Sequence, residues 1–160
     1  MRKILISILL ICSMLLSTGF ATYHRTYQIY CKNLWLYMNK ADREYMAQVV
    51  EAESNRIPGD IEARVYIAAV ILNRVRSPYF RNTVRGVLDE PGQFTTTSGG
   101  HCYISATDDS RVAIDIAQER IYTREIPSNL LYFNSIGYNN GTAYDRIGGN
   151  YFMTYGSCWW

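Results

Sequence analysis

The stretch Asp60-Ile61-Glu62-Ala63-Arg64-Val65-Tyr66-Ile67-Ala68-Ala69-Val70-Ile71-Leu72-Asn73-Arg74-Val75-Arg76 decides how the rest of the chain must be arranged. Its middle, Val65 to Leu72, is apolar almost all round, so a helix built on it has no face to give to water and must be covered on every side. Asp60 is placed to cap its first turn, and Pro78 limits it to about Arg76. Only about half the length needed to cross a bilayer is apolar, so the segment reads as a core helix and not as a membrane span.

The segments on either side supply the cover. Asp42 can cap a helix in which Tyr45, Met46, Val49, Val50, Ala52 and Glu53 recur at helical spacing. Glu53 thus falls on the inward stripe, while Glu44, Gln48 and Glu51 fall mostly on the other side, where Glu51 reads as a solvated residue. Ser54 to Gly59 breaks this helix before the core helix starts. Beyond the core helix, Asn82 or Thr83 can cap a short helix ending at Asp89, and Pro91-Gly92-Gln93-Phe94 turns into a polar loop reaching about Tyr103. Thr107-Asp108-Asp109-Ser110 opens another helix, whose Val112, Ala113, Ile116, Ala117 and Ile121 keep the helical period until Pro127. Leu130 to Phe133 and Tyr151 to Met153 are aromatic-rich runs separated by Gly and Asn, as expected for strands of a small sheet.

Met1-Arg2-Lys3, the apolar run Ile4 to Leu16 and the small-residue exit ending at Ala21 have the anatomy of a secretory signal cut after Ala21. The competing reading is a retained anchor, since Ile4 to Ala21 is 18 residues. Both put the remaining chain outside the cytoplasm: periplasm, cell wall or extracellular space. Residues 22–41 read as an N-terminal arm with a short helix through Leu34 to Met38, and residues 42–160 as one domain. A net charge of +2, with Lys and Arg scattered, argues against nucleic acid as a partner; a membrane is a partner only if the N-terminal segment is retained. Tyr is abundant, 14 of 160 residues, and a flat amphipathic ring suits both a sugar face and the edge of a small core. With Cys12 in the export segment, Cys31, Cys102 and Cys158 meet oxidising conditions. Cys102 with Cys158 is the first choice for a bridge because it would fasten the C-terminal tail; Cys31 could replace either partner or stay free.

The chemistry narrows by residue type. Two histidines, His24 and His101, without paired-ligand spacing do not make a metal site, so no metal or cofactor is expected. His101 and Cys102 are neighbours that an extended chain points to opposite faces, which opposes a direct thiol–imidazole pair. Among the carboxylates, Asp42, Asp60 and Asp108 fit helix caps, and Glu62, Asp115, Glu119 and Glu125 fit surface charges. Glu53 fits these templates least. A carboxylate set against apolar packing resists ionisation and can serve as a general acid, although it can equally form a structural ion pair, for example with Arg74.

Val49-Val50-Glu51-Ala52-Glu53, Ala69-Val70-Ile71-Leu72-Asn73-Arg74-Val75, Pro91-Gly92-Gln93-Phe94, Leu131-Tyr132-Phe133-Asn134 and Ile147-Gly148-Gly149-Asn150-Tyr151-Phe152 together resemble the SleB/CwlJ family of cell wall hydrolases in order and spacing, over roughly Tyr45 to Met153. The resemblance implies a lysozyme-like α+β fold, mainly helical with a small antiparallel sheet. It also implies peptidoglycan glycan strands as substrate, cut between N-acetylmuramic acid and N-acetylglucosamine. Glu53 matches the catalytic glutamate, and Gln93, Phe94, Tyr132 and Asn134 match groove motifs expected to orient substrate. The turn Ser54 to Gly59 departs from the family pattern: it is longer and lacks a second glutamate and a double glycine. One glutamate suffices for a lytic transglycosylase, the preferred reading. A hydrolytic muramidase needs a second carboxylate, for which Asp89 and Asp145 are the candidates folding could bring in. A glycan-binding module without cleavage is the competing class.

Overall fold

Among the described residues, four helices and two small sheets follow one another as α1 (Lys40–Glu53), α2 (Ile61–Arg76), α3 (Val84–Leu88), β1 (Thr97–Ser98), β2 (His101–Cys102), α4 (Asp108–Tyr122), β3 (Leu130–Asn134), β4 (Thr142–Ile147) and β5 (Asn150–Thr154). This is a computed structural model describing residues 36–54, 60–94, 96–98 and 101–158. The expected export segment, most of the N-terminal arm, His24 and Cys31 lie outside the described residues, as does most of the turn between α1 and α2.

The core helix is α2. Val65 and every residue from Ile67 to Leu72 are fully buried, covered by α1, α3 and α4 and by the sheet. Asp60 caps it as expected, its side chain accepting a hydrogen bond from the Ala63 N–H, and Thr83 and Thr107 cap α3 and α4 in the same way. Thr107 and Ser110 complete a reciprocal capping box at α4. At α1 the cap is Asn39, which accepts from the Asp42 N–H, so Asp42, like Asp108 behind Thr107 at α4, lies in the first turn instead of capping it. Residues 36–39 are not helical, contrary to the helix expected through Met38; the Leu36 N–H instead bonds to the side chain of Gln118 on α4.

Near its C-terminal end α2 carries two polar residues into the core, and both tie it to β3. The Asn73 amide donates to the carbonyls of Pro127 and Leu130, at 2.9 and 3.1 Å, and Arg74 Nε donates to the Leu131 carbonyl at 2.8 Å. The sheet is antiparallel in the order β3-β5-β4, with β5 central. Leu130 and Phe152 enter the helical core, while Leu131 and Met153 are buried outside that cluster, Met153 against the loop at Asn140 and Gly141. The edge strand β4 is largely solvent-exposed and lacks apolar alternation, which is why it left no strand signal. Its partner turn does carry one: Gly148 and Gly149 adopt φ of 56° and 82°, as a two-residue hairpin requires. A side chain at Gly148 would also collide with Ala63 and Asp60 at the start of α2.

Two further expectations are overturned. Glu51 is not solvated but 5 % exposed, because α4 covers α1 on a second side. It accepts from Arg64 Nε and Nη2, both at 2.9 Å, and from Thr107 Oγ1 at 2.6 Å. Arg64 in turn donates through Nη1 to the Asp60 carbonyl at 2.9 Å, so one buried ion pair joins α1, the start of α2 and the cap of α4. Second, Cys102 and Cys158 are not bridged: Cys102 is buried in the β1–β2 hairpin, and the exposed Cys158 donates its thiol to the Asn129 side chain at 3.0 Å. That contact and the bond from the Asn129 amide to the Gly156 carbonyl, at 2.7 Å, hold the C-terminal segment in place of a disulfide.

Candidate active site

The inward stripe of α1 runs through Met46, Val49 and Val50 and reaches Glu53 in the last turn, where the core gives way to a cavity of about 590 Å³. Its walls come from that turn (Ala52, Glu53), from Arg74 on α2, from the loop after α3 (Gly92, Gln93, Thr96), from β3 and the loop beyond it (Tyr132 to Ile136, Asn140) and from Asn150. Elements distant in the chain thus converge on one carboxylate.

Glu53 is half-buried, so the full apolar enclosure expected for it is not what the fold supplies. Its Oε1 accepts from Thr96 Oγ1 at 2.7 Å, which fixes the orientation of the carboxyl. Its backbone carbonyl, one of those a helix C-terminus leaves open, accepts from the buried Asn150 amide at 3.4 Å. The alternative reading, an ion pair with Arg74, is not what the fold forms, although the two face the same cavity and Glu53 acts on the charge of Arg74.

Arg74 is 3 % exposed. Its guanidinium carbon sits 4.9, 5.3 and 5.6 Å from the ring centroids of Phe80, Phe94 and Tyr132. Burial pulls its pKa down to about 10, against the opposing pull of Tyr132 and Glu53.

The other residues of the groove motifs divide. Gln93 and Tyr132 line the cavity. Phe94 does not: it is 4 % exposed and packs against Phe133 and Arg74, because the turn after Gly92, with φ of 76°, sends Gln93 outward and Phe94 into the core. Asn134 is on the wall, but its side chain is already committed. Its Oδ1 accepts from the N–H groups of Ile136 and Gly137, both at 2.8 Å, and its amide donates to Asn139 Oδ1 at 2.6 Å. It therefore shapes the loop that forms the cavity lip, as Asx side chains do in turns.

Neither alternative second carboxylate reaches the site. Asp89 accepts from the Tyr45 hydroxyl at 2.8 Å, and Asp145 lies on exposed β4, accepting from the Arg146 N–H. All 14 acidic residues of the sequence fall within the described residues, and Glu53 alone among them lines the cavity. Sequence reasoning missed Thr96 and Asn150 as neighbours of Glu53. Asn150 had a usable signal, being the polar residue that follows the Gly148-Gly149 turn inside a recognised motif; Thr96, in a polar loop, had none.

Residues 59–153, more than half of the chain, match the cell wall hydrolase family. The spore cortex-lytic enzyme of Bacillus subtilis (strain 168) is 39 % identical over 88 residues, 51 % of this chain and 28 % of that protein. That of Bacillus cereus is 41 % identical over 73 residues, 46 % and 27 % of the respective chains. The chain thus spans little more than a quarter of the length of these relatives. Among solved structures, the catalytic domain of the Bacillus cereus SleB protein matches with a TM-score of 0.60 at 28 % identity, covering 74 % of this chain and 93 % of that one. The catalytic domain of the germination-specific lytic transglycosylase SleB from Bacillus anthracis matches with the same TM-score at 31 % identity, covering 73 % and 97 %. With its motifs in family order and its fold that of the SleB catalytic domain, the chain belongs to the cell wall hydrolase family.

Proposed function

We propose that this protein is a peptidoglycan-cleaving glycosidase acting outside the cytoplasm, and that it works as a lytic transglycosylase with Glu53 as its acid and base. The observation that carries the reading is the single carboxylate on the cavity wall. Glu53 protonates the oxygen linking muramoyl C1 to the next N-acetylglucosamine, and the C1–O bond breaks as that sugar leaves with the proton. The carboxylate so formed then takes the proton of the muramoyl C6 hydroxyl, whose oxygen closes onto C1. The product is a 1,6-anhydro sugar, Glu53 is again protonated, and no water is consumed. Hydrolysis would ask a second carboxylate to activate water or to hold the sugar cation, and Asp89 and Asp145 are engaged elsewhere.

Thr96 supports this cycle because a hydroxyl can donate to the carboxylate and accept from the carboxylic acid, serving both states of Glu53. Tyr132 offers a ring for a sugar face, and Gln93 an amide for its polar groups.

The test is mass spectrometry of soluble fragments released from purified peptidoglycan by the protein and by its Glu53→Gln variant. Anhydromuramoyl ends made only by the unmutated protein are expected, since the amide keeps the shape but cannot donate a proton. Reducing ends would mean hydrolysis. Binding without release by either protein would mean a glycan-binding module, and cleavage by the variant would refute the role of Glu53.

A further inference from the structure

The least explained group in the molecule is the guanidinium of Arg74. A buried cation is normally repaid by a carboxylate and a full set of hydrogen bonds. Arg64 follows that rule through Glu51. Arg74 does not: Nε is satisfied by the Leu131 carbonyl, but Nη1 is buried with no hydrogen-bond partner among the described residues. The remaining stabilisation comes from the rings of Phe80, Phe94 and Tyr132. Rings attract a cation without neutralising it, so the full positive charge persists in a poorly solvated place. The cavity wall that holds this charge also holds Glu53. A fold that keeps a charge at such a cost has a use for its field.

We propose that Arg74 is a positioning residue for the cleavage reaction, its caged charge stabilising the carboxylate that Glu53 becomes once its proton has passed to the glycosidic oxygen. The inference rests on the reading of Glu53 as the acid. The negative charge appears on Glu53 as the bond breaks, so a fixed cation on the same wall favours the transition state over the ground state, in which Glu53 is neutral. The charge needs no rearrangement at that moment, because the rings and the Leu131 carbonyl already hold it. Phe94 gains its purpose here: it belongs to the cage that holds the cation, which explains why a groove motif ends in a buried residue.

The test compares Arg74→Met and Arg74→Lys with the unmutated protein, using the kinetics of fragment release from peptidoglycan, with circular dichroism to establish folding. Arg74→Met is expected to lower kcat about ten- to a hundred-fold with KM changed less than about two-fold. Arg74→Lys keeps a cation but loses the planar fork stacked on the rings, and is expected to keep a kcat about three-fold or more above that of Arg74→Met at neutral pH. A folded Arg74→Met protein with parental kcat overturns the proposal. If the Met variant does not fold, the Lys variant decides: a folded Lys protein losing kcat ten-fold or more means that the shape of the guanidinium, and not its charge, is what matters. Loss of cleavage in Glu53→Gln beside an unaffected Arg74→Met defeats this inference alone, whereas cleavage by Glu53→Gln defeats both.

Discussion

Replacing Glu51 by Gln should unfold this protein more readily than any equally small change near the cavity. The substitution keeps the side-chain volume and removes the charge from a carboxylate that is 7 % exposed and accepts from Arg64 Nε, Arg64 Nη2 and Thr107 Oγ1. An amide presents one acceptor and one donor, so one of the two Arg64 N–H groups then meets an N–H, and the 3 % exposed Arg64 loses its carboxylate. Breaking a buried pair from one side costs about 3–5 kcal/mol. For an ordered unit of roughly 120 residues the unfolding entropy is about 0.25 kcal/mol/K, so the melting midpoint should fall by about 12–20 °C. Thermal unfolding followed by circular dichroism at neutral pH measures this directly. A second arm isolates the cause: Glu51→Gln combined with Arg64→Met also removes the buried cation and should melt above Glu51→Gln alone. Glu53→Gln is the control; its half-exposed side chain should leave the midpoint within about 2 °C while cleavage disappears. A fall of less than about 3 °C for Glu51→Gln would refute the argument that this pair fastens α1 to α2 and α4.

Two further outcomes follow from the cavity wall. Asn134→Ala removes the acceptor for the Ile136 and Gly137 N–H groups, so the lip loop should loosen, raising KM several-fold and costing about 1 kcal/mol of stability; steady-state kinetics with an unchanged KM would contradict the shaping role. Gln93→Ala should weaken turnover and leave the products the same, and a changed product type in the mass spectrum would rule out a purely orienting side chain.

Periodicity carried the reading of α2, α4 and most of α1 because each segment has a single dominant demand: α2 must be covered all round, and the other two must turn an apolar stripe toward it. The small sheet was half legible. β3 and β5 carry the buried apolar residues Leu130, Leu131, Phe152 and Met153, whereas β4, at the exposed edge, has a polar pattern that fits loop or strand equally. Glu51 was misread because a stripe seen from one helix cannot reveal that a second helix, α4, covers its flank. Phe94 and Asn134 were placed in the right neighbourhood but given contacts that backbone direction and local hydrogen bonds assign differently.

The sequence by itself determined a helical core around Val65 to Leu72, the start of that helix at its Asp60 cap and the approximate starts of α3 and α4, and the motif order that marks the family. These are local or one-dimensional properties: helical period, hydrogen bonds within a single turn, and residue identity at fixed spacing. Tertiary structure alone decided which glutamate is locked in an ion pair and which opens onto the cavity, that Asp89 and Asp145 are held away from it, and that Arg74 stands caged on its wall. Each of those outcomes depends on side chains separated along the chain meeting in space. Burial and charge pairing are set by that meeting, which no window of neighbouring residues contains.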